Sequence, residues 1–138
     1  MTAIAAALVS GALFYLSQGI DNVWPLAWIA PVPVLWLAYG AAPRWQVSLA
    51  ALAAFAAGQI YLVQCYGGSL PPLLLALGFT PAALFSFAVG SARAAYRTLP
   101  PIVALFAFPA LWTAGEYLIS LVSPGALDGR RVSTVDFG

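Results

Sequence analysis

The sequence predicts an all-α fold, a polytopic membrane helix bundle of about five transmembrane helices, and three observations lead there. Of 138 residues, 63% are hydrophobic and 7% charged, with a mean hydropathy of +0.95. A water-soluble domain carries about 25% charged residues because its surface must be hydrated. Five basic and four acidic side chains cannot cover a 14.4 kDa globule. Second, the apolar residues form long stretches, each near the roughly 20 residues that cross about 30 Å of hydrocarbon at 1.5 Å per residue. Third, short clusters of Gly, Pro, Asn and Arg separate these stretches, and such residues break helices and tolerate water.

The first span runs from Thr2 to Ser17 and is slightly short. A signal peptide is its competing reading, disfavoured because no basic n-region precedes it and no cleavage site follows it. The second span runs from Val23 to Tyr39 and the third from Gln46 to Tyr66. The fourth runs from Leu70 to Ala92 and the fifth from Pro101 to Val122. Gly19–Asn22, Ala42-Pro43-Arg44, Gly67-Gly68-Ser69 and Arg97-Thr98-Leu99-Pro100 connect them. Connections this short predict antiparallel neighbours. Pro31, Pro33, Pro81 and Pro109 fall inside spans and are expected to kink them, since proline lacks the N–H of the helical ladder. Ala50, Ala54 and Gly58 repeat every fourth residue, as do Ser86, Gly90 and Ala94, a spacing that lets helix backbones approach closely in lipid. The helical domain thus covers 1–122. A polar tail, 123–138, is expected to be disordered or to lie outside it.

Arginine placement predicts orientation. Arg44 follows the second span, and Arg93 and Arg97 end the fourth, while the alternate connections at Asp21 and Gly67-Gly68 carry no basic residue. The positive-inside bias then puts the N-terminus in the cytoplasm. Trp24, Trp28 and Trp45 sit near span ends, where an aromatic belt is expected. Arg130 and Arg131 run against this orientation, because it places the tail outside.

Chemistry-bearing residues are few. A net charge of +1 with scattered charges gives no nucleic-acid footprint. The sequence has no histidine, and all five basic residues are arginine, so there is no lysine. One cysteine, Cys65, cannot form an intrachain disulfide or a cysteine-based zinc site. As a nucleophile it would need a base or a cation to lower its pKa, and an apolar filler is the simpler reading. Tyr15, Tyr61 and Tyr117 read as packing and interface residues. No phosphate loop, metal-ligand cluster, cofactor motif or catalytic triad is present. Glu116 is the sole acidic residue within a span. An ionisable group there costs about 2.5–3.5 kcal/mol on insertion scales. It should therefore face other helices, either hydrogen-bonded to Gln59, Gln64 or Thr113, or lining a substrate cavity toward the outer leaflet.

Three stretches together resemble the N-terminal membrane domain of bacterial apolipoprotein N-acyltransferases. They are Asn22-Val23-Trp24-Pro25-Leu26-Ala27-Trp28, Gly67-Gly68-Ser69-Leu70-Pro71, and Pro109-Ala110-Leu111-Trp112 followed by Glu116-Tyr117-Leu118. Their order, spacing and hydropathy cover about residues 1–122. The resemblance implies transfer of an acyl chain from a phospholipid to the free amine of a diacylglyceryl-cysteine on an apolipoprotein. In the family this chemistry belongs to a nitrilase-like domain with a Glu-Lys-Cys triad, on the outer side of the inner membrane. The sequence departs from the family at Ile119, where arginine often follows Glu-aromatic-Leu, and in the tail. Without lysine it cannot hold the triad, and Cys65 is not the family nucleophile.

The expected identity is therefore a truncated, or separately encoded, membrane domain of this acyltransferase family, multi-pass in the bacterial inner membrane. It is expected to be inactive alone, to contact a phospholipid acyl donor and an apolipoprotein, and to work with a separately encoded nitrilase-like domain. The rival is a non-enzymatic membrane scaffold or transporter subunit. A transporter places several polar or charged groups along its pathway, whereas only Glu116 is charged among the spans.

Overall fold

The computed structural model describes residues 2–18, 23–69 and 71–122, and the regular structure among them is α-helical. In chain order the segments are α1 (Ala3–Gln18), α2 (Leu26–Ile29), α3 (Val32–Tyr39), α4 (Arg44–Gly58), α5 (Ile60–Tyr66), α6 (Pro72–Gly78), α7 (Thr80–Thr98) and α8 (Pro101–Val122). Asp21, Arg130, Arg131 and the tail 123–138 lie outside the described residues.

The expected runs are present as helix, but three are divided, and each division has a local cause. Pro31 separates α2 from α3, because Pro31 and Pro33 offer no N–H to the carbonyls four residues earlier. Pro81 likewise leaves the Leu77 carbonyl without its backbone donor. Thr80 Oγ1 donates to that carbonyl at 2.6 Å, and the chain tightens so that Phe79 N–H reaches Ala76 O at 3.1 Å. The third division, between α4 and α5, involves no proline. Gln59 sits at φ −84°, ψ 0°, its N–H is shared between the Phe55 and Ala56 carbonyls at 3.2 and 3.0 Å, and Leu62 N–H reaches back to Gln59 O at 2.9 Å. That is a local 3₁₀ contraction inside the run Arg44–Tyr66, where a span from Gln46 to Tyr66 is expected. Helix α7 also runs past the expected end at Ala92, carrying Arg93 and Arg97 in its last turns. Pro109 lies within α8 without dividing it.

Packing follows the small residues. α1 lies along α4, α4 along α7 and α7 along α8, with α3 against α1, α4 and α7. A β-carbon at Gly58 would lie 2.6 Å from Phe14 Cβ, and one at Gly11 3.0 Å from Ala57 Cβ. Glycine is thus what brings the α1 and α4 backbones together. Ala50, Ala54 and Gly58 are buried in this contact, as their spacing predicts. In the second repeat Ser86 Oγ donates to the Ser48 carbonyl of α4 at 3.0 Å, but nothing lies within 4 Å of a β-carbon at Gly90. Helix α7 packs instead through Ala82, Phe85, Ala88, Val89 and Ala92, since burying phenylalanine and valine removes more apolar area from solvent than burying serine and glycine.

Two runs, Arg44–Tyr66 and Ile102–Leu121, are long and apolar enough to cross a membrane, each with a mean hydropathy of 1.6. Ala3–Gln18 and Leu26–Tyr39 are apolar but shorter. Burial reaches 39% of the first long run and 11% of the second, so α8 stands at the edge of the bundle. It presents Ile102, Leu105, Phe106 and Leu118 outward.

Candidate functional site

Aromatic side chains from α1, α4, α7 and α8 converge at the centre of the bundle. Phe14 meets Phe55 with ring centroids 4.9 Å apart and Phe85 at 5.2 Å. Phe55 stacks on Phe85 at 5.2 Å and touches Trp112 at the same distance. Phe85 also takes Phe108 and Trp112 edge-on, both at 5.7 Å. Edge-to-face and tilted pairs at these separations add about 0.5–1.5 kcal/mol each beyond their area burial. The cluster is therefore a stiff floor rather than a loose filling.

Above that floor opens a groove of about 440 Å³, walled by Trp28, Val32 and Leu35 on one side and by Pro109, Trp112 and Thr113 on the other. Its few polar groups are at the rim. Gln18 lines it and accepts a hydrogen bond from Gln59 Nε2 at 3.1 Å, while Gln59 itself is buried. The contraction at Gln59 sets that side chain against α1. A groove of this size, apolar with a sparse polar rim, suits an extended hydrocarbon chain rather than a polar metabolite.

Glu116 lies on α8 one turn beyond Trp112 and Thr113. Residues three and four apart share a helix face, so it continues the face that walls the groove. The carboxylate is exposed rather than packed. None of the hydrogen bonds considered for it forms: Gln59 is paired with Gln18, and Gln64 accepts from Tyr15 O–H at 3.0 Å. Sequence separation gave no means of knowing which helices would bring those amides their partners.

Cys65, expected as an apolar filler, is exposed on α5. Among the described residues no group of three or more His, Cys, Asp or Glu could hold a metal ion. Sequence reasoning passed over Phe14, Phe55, Phe85 and Phe108. Their signal was present: Phe14 and Phe85 follow Gly11 and Ala82 by three residues, and Phe55 follows Ala51 by four, each on a small-residue face.

The chain matches the family described as "Apolipoprotein N-acyltransferase N-terminal domain" over residues 10–126, against an expected extent of about 1–122. It is similar to the apolipoprotein N-acyltransferases of Pseudomonas aeruginosa strains LESB58 and PAO1, at 35% identity over 122 residues in each case. Those alignments take in 80% of this chain and 24% of each relative. The match therefore spans about a quarter of the length of these curated relatives. No solved structure matches the chain.

Proposed function

Since this chain belongs to the family of apolipoprotein N-acyltransferase N-terminal domains, we propose that it is a membrane-embedded helical domain that holds a phospholipid acyl chain for N-acyl transfer to an apolipoprotein. The observation that supports this reading most is the aromatic-floored groove between α1, α2, α3 and α8, whose walls take hydrocarbon and whose polar groups lie at one rim. In this reading the helical runs form about five spans of the bacterial inner membrane, with the N-terminus in the cytoplasm and the groove's rim toward the outer side. Glu116, one turn past that rim, is the substrate-cavity carboxylate. The scaffold or transporter alternative is not favoured by the family match.

Covalent acyl transfer needs a nucleophile, a base to activate it, and donors for the developing oxyanion. These 138 residues contain neither lysine nor histidine, and the thiol of Cys65 is exposed on α5. The chemistry is therefore supplied by groups outside this stretch, in a nitrilase-like domain that works with it.

A phosphatidylethanolamine carrying a photoreactive group in its acyl chain tests the groove. Irradiated with the purified chain, it should label peptides of α1 and α8 around Gln18 and Thr113. Ala27→Trp, which fills the groove, should remove that labelling. Label confined to the outward residues of α8, indifferent to Ala27→Trp, would show that the groove holds no acyl chain.

A further inference from the structure

Where α4 begins and α7 ends, the two helices frame a second groove of about 520 Å³. It is lined by Arg44, Ser86, Gly90, Arg93 and Arg97 among others, and by no carboxylate. Arg93 is only 5% exposed. One guanidinium nitrogen, Nη2, donates to the Ala42 carbonyl. Nε and Nη1 are buried without a partner. Buried donors are paired in nearly all folded proteins, and a guanidinium does not escape burial by losing its proton. Arg97 follows one turn later on the same face, and Arg44 opens α4 from the opposite wall, so three cations share one cavity. The side-chain-free surface of Gly90 keeps that cavity open. An arginine that served only to orient the chain in a membrane would need no burial; Arg93 is held inside, with two donors unspent.

We propose that this groove binds a phosphate-bearing group through Arg93, with Arg44 and Arg97 as flanking cations. Guanidinium and phosphate match in geometry, two parallel N–H donors to two oxygens, and basic pockets between helices at a membrane surface are suited to lipid headgroups. In the orientation proposed above, the source is the phosphodiester of an anionic phospholipid in the cytoplasmic leaflet. The site is separate from the acyl-chain groove, and either assignment can fail without the other.

Binding of dioctanoyl-phosphatidylglycerol to the purified chain in non-ionic maltoside micelles, counted by native mass spectrometry, tests it. One bound lipid is expected, and dioctanoylglycerol, which lacks the phosphate, should not be retained. Arg93→Gln should weaken binding by about tenfold or more, the scale set by losing a charge-assisted bidentate contact. Gly90→Leu enters open space and fills the groove, so it should cause a similar loss with helicity unchanged, and it decides the matter if Arg93→Gln fails to fold. An excess of glycerol 3-phosphate separates the sources: displacement of the lipid identifies a free phosphoryl group as sufficient, and no displacement assigns the lipid. Either result leaves phosphate as the recognised group. Equal retention of phosphatidylglycerol and dioctanoylglycerol, or wild-type binding by Gly90→Leu, would overturn the proposal.

Discussion

Two glycines with the same sequence signature have opposite surroundings. Gly58 faces Phe14 so closely that a β-carbon would sit 2.6 Å from Phe14 Cβ, while Gly90 faces open space. Gly58→Ala should destabilise the fold by about 1–3 kcal/mol through overpacking. Gly90→Ala should leave stability unchanged or raise it by up to about 1 kcal/mol, because alanine loses less backbone entropy in a helix. Thermal unfolding of the two variants in the same detergent distinguishes them, and equal effects would contradict the packing described. Residue spacing alone made both repeats look like contact stripes. The difference comes from Phe85 and Val89, which carry α7's larger apolar area into the core and leave Ser86 and Gly90 on the groove between α4 and α7. Glu116 was equally hard to place: its position within a span was legible, but its exposure depends on what α8 meets, and that is not written in α8.

At the scale of the helix, breaks caused by proline could be anticipated and the break at Gln59 could not. Pro31 and Pro81 remove donors from the ladder, a local effect visible in the sequence. Gln59 follows Gly58, a weak helix former that by itself need not stop a helix, and the half-buried amide pair with Gln18 forms 41 residues away in sequence. Gln18→Leu should therefore cost about 1–3 kcal/mol, because it strands the buried Gln59 amide. Replacing both glutamines by leucine should cost less than the sum of the single changes, since no polar group is then left unpaired. Additive losses in unfolding experiments would show that the pair contributes nothing as a unit.

For the whole molecule, arginine placement predicts that a reporter fused after Gly68 reads outside and one fused after Arg97 reads inside. The reverse pattern would invert both grooves relative to the membrane. The absence of lysine and histidine predicts that the purified chain shows no N-acylation of a diacylglyceryl-cysteine peptide in phospholipid micelles, and that Cys65→Ala leaves this unchanged. Turnover that depends on Cys65 would place the nucleophile here after all. Composition and periodicity made the helical class legible from the start. The aromatic floor was not, because it joins residues of α1, α4, α7 and α8 whose meeting depends on which helices pair.

The close approach of Gly11 to Ala57, and of Gly58 to Phe14, also has a consequence in time. Ribosomes deliver about 5–20 residues per second, so the stretch of about 50 residues between these glycines takes about 2.5–10 s to emerge. Throughout that interval the face of α1 bearing Ser10, Gly11 and Phe14 has no α4 to meet, while α2 and α3 are made. The first helix is thus synthesised as half of a surface that a later one completes. Whatever receives the nascent chain must hold α1 within reach until Gly58 arrives.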